Sequence, residues 1–192
     1  MSQVKRSRIY GIGYFVPPKV VKNDDLSKLM DTSDEWIQQR TGIKQRHFAD
    51  EGMTNAEMGV NATNEALNNA GIKKEEIDYI IYATLSPDHE FPGTGVFFQA
   101  RMGLAGVPSL DIRNQCSGFM YGLQLADALV KTGQYKRVLV IGGELHSRGL
   151  DLTTRGREVS VLFGDGAGAA IVGPSDDERG ILAIHTHADG NY

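Results

Sequence analysis

Cysteine is nearly missing from this sequence. Cys116 is the only one in 192 residues, so no intrachain disulfide can staple the fold, and a reducing, cytoplasmic compartment is expected. Long apolar runs are missing too: none approaches the roughly 18 residues a membrane helix needs. The start, Met1 to Arg6, has basic residues but no apolar segment behind them, so no secretory signal is expected. Clustered positive charge is the third absence. Twenty Lys and Arg face 24 Asp and Glu, for a net charge of -4, which leaves no electrostatic footprint for nucleic acid or a membrane surface. Low-complexity stretches and repeats of 20 to 50 residues are absent as well.

What is present is an ordinary globular mixture, 41% hydrophobic and 23% charged, long enough for one large domain over residues 1–192 or for part of something larger. Glycine is in excess, with 23 residues gathered at the ends of apolar runs (Gly11-Gly13, Gly93-Gly95, Gly142-Gly143, Gly164-Gly168), where backbone is expected to approach a neighbour closely.

Periodicity predicts a strand over Arg8–Val16 stopped by Pro17-Pro18, and a short helix from Asn23. Two capping boxes come next along the chain: Thr32 with Glu35 opens a helix ending at Gly42, and Thr54 with Glu57 opens a longer one ending at Gly71. The apolar run Asp78–Leu85 has the signature of a strand covered on both faces. A helix over Val96–Met102, a strand over Val107–Ile112, a helix over Cys116–Lys131 and a strand over Arg137–Ile141 complete an alternation typical of a mostly parallel α/β sheet. After the polar loop Glu144–Arg157 come Ala169–Val172 and an expected last strand, Gly180–Ala188. The turns between them are too short for helices, so the sheet should finish antiparallel. The stop at Asp189-Gly190-Asn191-Tyr192 reads as the edge of a truncated or split polypeptide.

Cys116 lies at the expected junction of a buried strand and a helix, where unpaired amides and the positive end of the helix dipole favour a thiolate. The competing reading is a small buried hydrophobe. Gly164-Asp165-Gly166-Ala167-Gly168-Ala169 satisfies a loose dinucleotide fingerprint, with Asp189 at ribose distance. The residues after it, Ala170 to Pro174, read as a short strand rather than a helix, and a glycine corner packing the sheet on a loop is the better account. His185, His187 and Asp189 would share one face of a strand, as metal ligands or as a solvated polar face; no metal site is expected. Trp36 and Arg40, four apart on one helix, form either a stacking and charge platform for a planar phosphorylated ligand or an ordinary amphipathic face.

Together these residues resemble the amino-terminal half of a β-ketoacyl-acyl-carrier-protein synthase III, a condensing enzyme of the thiolase superfamily. The resemblance covers essentially the whole chain. It is carried by Gly11-Ile12-Gly13-Tyr14-Phe15-Val16-Pro17, Thr32-Ser33-Asp34-Glu35-Trp36-Ile37, Arg40-Thr41-Gly42-Ile43, His89-Glu90-Phe91-Pro92, Gln115-Cys116-Ser117-Gly118-Phe119 and Phe163 to Ala169. It implies a thiolase-like mixed five-stranded α/β sheet with helices on both faces, one half of an α-β-α-β-α architecture. By the resemblance Cys116 is the acyl-accepting nucleophile, its amide part of an oxyanion hole. Trp36, Arg40 and Arg157, or Arg155 in its place, hold coenzyme A, and Phe91 crosses a homodimer interface toward the partner's acyl pocket. The implied substrates are an acyl-CoA thioester and malonyl-acyl-carrier protein, with no cofactor or metal beyond the thioester. The catalytic His and Asn belong to the carboxyl-terminal half and have no counterpart here. Asn114-Gln115 and the loop Glu144-Leu145-His146-Ser147-Arg148 depart from the commonest pattern. A noncatalytic partner subunit and a nucleotide-binding module are the alternative functions.

Overall fold

The computed structural model describes residues 6–191; Tyr192 and residues 1–5, including most of the expected basic start, lie outside them. The framework is a five-stranded mixed sheet built from β1 (Ser7–Phe15), β4 (Tyr79–Ala83), β5 (Ser109–Ile112), β6 (Val138–Leu145) and β7 (Asp165–Pro174). Across the sheet the strands lie in the order β1-β7-β6-β4-β5. A second, two-stranded antiparallel sheet joins β2 (Lys19–Lys22) to β3 (Gln45–Phe48). β4 runs parallel to both β5 and β6, whereas β7 is antiparallel to β6 and to β1, so the sheet ends antiparallel as the short turns imply.

Strand alternation sorts the core into two layers. Ile80, Tyr82, Leu139, Ile141, Ala169 and Ile171 face α3 (Asn55–Ala70) and α4 (Gly95–Met102). Ile81, Val138, Val140, Ala170 and Val172 face α5 (Gly118–Lys131), which contributes Leu123, Ala126 and Val130. Gly11 and Gly13 let α3 lie directly on β1: a Cβ at either would overlap the helix backbone at Ala66 or Ala62. A third, smaller core of Val21, Leu26, Met30, Ile37, Phe48 and Val161 joins the two-stranded sheet to α1 (Asn23–Leu26), α2 (Asp34–Thr41) and α6 (Arg157–Ser160).

Three expectations need correction. The α2 cap is Ser33, whose hydroxyl accepts from the Trp36 amide, whereas the Thr32 hydroxyl is buried without a partner. The α-helix after Cys116 starts only at Gly118, behind a 3-10 turn over Gln115–Ser117. Gly180–Ala188 forms no strand. Its backbone reaches β1 through Ile181, which donates to Ser7, and it then crosses α5, with Ile181 and Ile184 packed on that layer. The alternation of His185, His187 and Asp189 therefore has no sheet to act on. Among the described residues no three His, Cys, Asp or Glu converge as metal ligands.

Candidate active site

β5 is short and pairs only with β4, so the chain leaves the sheet at Ile112, and Asn114 to Ser117 must turn sharply to enter α5. Among the described residues the one non-glycine with positive φ is Gln115, at 42°. A side chain in that region costs conformational energy and persists only where surrounding structure enforces it, as functional turns do. The strain lies one residue before Cys116, whose side chain is exposed at the head of α5. No side chain caps α5: the N-cap position is Ser117, and its hydroxyl bonds to the Asn114 carbonyl oxygen at 3.2 Å instead. The amides of the first turn of α5 are thus left to an incoming acceptor beside the thiol.

The predicted stacking residues come together from two elements distant in sequence. The Arg40 guanidinium sits 4.1 Å from the centre of the Trp36 ring, and the Arg157 guanidinium, on α6, sits 4.6 Å from it. Arg157 also donates to the Asp31 carbonyl at 2.7 Å, which fixes it between α1 and α2. Arg155 points elsewhere: its side chain is 88% exposed and pairs with Asp151, four residues back. Between α2 and α6 lies a depression of about 250 Å³ lined by Trp36, Arg40, Thr41, Glu158, Val161 and Leu162. A larger depression of about 690 Å³, around Arg6, Tyr135, Lys136 and Asp177, contains none of the predicted residues. It lies at the far end of α5, about 20 Å from Cys116 at 1.5 Å per helical residue.

Phe91, at 92% exposure, stands at the tip of the loop joining β4 to α4. That loop is pinned on both sides. The Asp88 carboxylate accepts from the Asn55 and Ala56 amides, Thr94 accepts from the Asp88 amide, and Asp111 on β5 accepts from the Thr94 and Gly95 amides. An exposed Glu90–Arg113 pair at 3.1 Å ties the tip to the segment that carries Cys116.

Sequence reasoning missed the buried polar cluster beneath this loop. The Asn55 amide donates to Thr84, to the Ser86 carbonyl and to the Gly143 carbonyl, while the Tyr82 hydroxyl lies 2.8 Å from Asn55 Oδ1. Glu144 accepts from the Leu85 amide and the Ser86 hydroxyl. Burial first, then the nearby charges of Asp88, Asp111 and Glu144, push the Tyr82 hydroxyl well above the usual phenol range. The signal available was Tyr82, a tyrosine in the middle of the apolar run Asp78–Leu85.

The Gly164–Ala169 run enters β7, not a helix, which removes the dinucleotide reading. Its Asp165 is buried and accepts from the Ala49 and Ser147 amides at 2.7 and 2.8 Å, so the glycine corner clamps two loops.

Residues 110–190, which include Cys116 and that corner, match the model of a family described as 3-oxoacyl-[acyl-carrier-protein (ACP)] synthase III. A β-ketoacyl-[acyl-carrier-protein] synthase III of Ehrlichia canis is 48% identical over 190 residues, 98% of this chain and 59% of the relative. Along essentially its whole length the chain is similar to β-ketoacyl-[acyl-carrier-protein] synthase III proteins. The synthase III structure from Aquifex aeolicus superposes with a TM-score of 0.85 at 47% identity, over 90% of this chain and 55% of that one. The priming β-ketosynthase of the R1128 polyketide pathway superposes equally well, at 36% identity, over 92% of this chain and 53% of that one. The fold is accordingly the thiolase-like one of synthase III structures, and the chain spans a little over half the length of the relatives it matches. No helix among the described residues is long and apolar enough to cross a membrane.

Proposed function

We propose that this chain is the acyl-accepting part of a decarboxylative condensing enzyme of fatty acid or related biosynthesis, corresponding to the amino-terminal half of the synthase III fold. The observation that carries this reading is the exposed Cys116 on a strained turn at the uncapped head of α5. In the first half-reaction the Cys116 sulfur, as thiolate, adds to the thioester carbonyl of an acyl-CoA. Collapse of the tetrahedral oxyanion expels coenzyme A as its thiolate, so an acyl–sulfur bond forms on the protein as one breaks on the donor. The Cys116 amide, in the turn that leads into α5, would receive the oxyanion. Trp36, Arg40 and Arg157 would hold the nucleotide end: an indole face for the purine and two guanidinium groups for phosphates.

In the second half-reaction, loss of CO2 from a malonyl group on the carrier protein yields an enolate. Its carbon attacks the acyl-cysteine carbonyl and releases the Cys116 sulfur. The groups that drive the decarboxylation would come from the portion of the family's length that this chain does not span. That portion would pack on the α5 side, while Phe91 would enter the partner subunit of a homodimer. No cofactor or metal is called for, because the thioester supplies the leaving group.

Intact-mass analysis of the purified protein incubated with acetyl-CoA is the test. The expected result is a single acetyl addition that maps to Cys116 and is lost in Cys116→Ser, without turnover of malonyl-acyl-carrier protein by the chain alone. Acylation that survives Cys116→Ser, or none under saturating thioester, would overturn the assignment of the nucleophile.

A further inference from the structure

The walls of the Trp36 cleft belong to different parts of the chain, and one buried charge joins them. Arg46, on β3, is only 6% exposed, yet none of its hydrogen-bond acceptors is a carboxylate. Its guanidinium donates to Asn23 Oδ1 at 2.8 Å and to the Val161 carbonyl at 3.0 Å, with a longer contact to the Val21 carbonyl at 3.5 Å; Nε has no partner. Val161 ends α6, the element that presents Arg157. Asn23 passes the link to α2: its amide donates to Asp34 Oδ1 at 2.8 Å in the first turn of that helix and to the Ile43 carbonyl at 2.7 Å just beyond its end. From Asp34 through Asn23 and Arg46 to Val161, one chain of hydrogen bonds links α2 to the end of α6, the two elements that flank the depression.

Burying a cation among neutral acceptors is costly, and burial lowers the Arg46 pKa. An apolar residue of similar volume would fill this small core more cheaply, so the site asks what the guanidinium supplies that packing does not. Its planar fork fixes direction: two donors set at a defined angle hold Asn23 and the α6 terminus at one separation, which a methylene chain would not. The glycine corner is shaped around it. A Cβ on Gly164 would stand 2.9 Å from the Arg46 Cβ and 3.1 Å from the His47 carbonyl oxygen.

We propose that Arg46 is a positioning residue for the nucleotide end of the thioester: without touching the ligand, it sets the spacing between the α2 wall (Trp36, Arg40) and the α6 wall (Arg157). This rests on the reading of that cleft as the coenzyme A site. Trp36 is the only tryptophan in the 192 residues, so intrinsic fluorescence reports on the site directly.

The experiment titrates the purified protein, Arg46→Lys and Arg46→Met with coenzyme A while following Trp36 emission. It also measures acrylamide quenching of Trp36 and the rate at which iodoacetamide alkylates Cys116. Saturable quenching by coenzyme A is expected in the wild-type chain, about tenfold weaker binding in Arg46→Met, and an intermediate value in Arg46→Lys, which restores the charge and N–H donors without the planar fork. Cys116 should alkylate at the same rate in all three. Coenzyme A affinity in a folded Arg46→Met equal to wild type would overturn the proposal, whatever that variant loses in Tm. Should Arg46→Met fail to fold, Arg46→Lys gives the same comparison at smaller amplitude, and unchanged affinity there is the overturning result. If the wild-type chain itself shows no saturable coenzyme A quenching, the cleft reading fails on its own. Acrylamide access to Trp36 then decides the spacing role, raised access supporting it and unchanged access sinking it.

Discussion

On one face of the central sheet α3 turns Glu57, Asn61, Asn64, Asn68 and Asn69 to solvent; on the other, α5 exposes Met120 and leaves Phe119, Tyr121, Leu125 and Leu129 only half-buried. The α3 face is finished. Its helix is capped at both ends, by Thr54 and by Gly71, and its inner side meets β1 through Gly11 and Gly13 with no room to spare. The α5 face is open: its helix has no N-terminal side-chain cap, and Ile12 and Tyr14, which alternate with those glycines along β1, lie exposed on the same side, with Leu182 exposed on the crossing segment. The exposed Cys116 stands at the head of the open helix. One face of a sheet can thus be built as an outer wall while the opposite face is left apolar and uncapped.

Four substitutions test this contrast. The largest effect is expected for Gly13→Val, where added carbon atoms have no space against α3. Stability should fall by about 3 kcal/mol or more, a Tm loss of roughly 6–12 °C for a chain of this size. A melting curve unchanged within a degree or two would show that α3 is not closely seated. Leu123→Ala, on the inner side of α5, should cost about 2–3 kcal/mol in urea unfolding, the lower part of the usual range because this layer has room to relax. A cost equal to that of Gly13→Val would erase the difference between the faces.

Tyr82→Phe on the α3 side should cost about 1–2 kcal/mol at neutral pH, through the lost bond to Asn55. It should also change the alkaline limb. Because the folded hydroxyl titrates above its unfolded value, the folded state holds its proton longer; stability is full below about pH 10 and declines as pH rises past the unfolded phenol value. Stability measured from pH 8 to 11 should fall less steeply in Tyr82→Phe, and parallel profiles would count against a buried neutral Tyr82. The smallest effect is expected for Met120→Gln, three residues from Leu123 but on the outer side of α5. Stability should move by less than about 0.5 kcal/mol, while binding of an apolar dye such as ANS falls. A loss comparable to that of Leu123→Ala would mean the outer side is already packed.

Locally encoded features were legible in the sequence and globally decided ones were not. The Thr54 cap stems from a hydroxyl three residues before the amide it accepts, and the Asp78–Leu85 strand from an apolar run. Thr32 and Ser33 each offer a cap to the next helix, and it is the Ser33 hydroxyl that accepts from the Trp36 amide while that of Thr32 is buried without a partner. The expected strand at Gly180–Ala188 has suitable alternation but lacks a ladder, since the segment leaves β1 after Ile181 to cover α5. At the site, Trp36 and Arg40 share a helical face in any helix. Arg155 and Arg157 were indistinguishable by counting until Asp151 drew one outward and α6 turned the other onto the indole. The strained Gln115 carries no local mark, because its φ is imposed by the need to pass from β5 into α5 within a few residues.

Periodicity, caps and ordered motifs, all of them short-range, therefore determined by themselves the α/β class and the helices and strands of the main sheet from β4 to β6. Only the tertiary structure decided which arginine meets Trp36, how Arg46 ties the two walls of the cleft, and which face of the sheet stays open. Those outcomes depend on distances between residues more than 100 positions apart, which no local pattern encodes and only the packing of the whole sheet brings within reach.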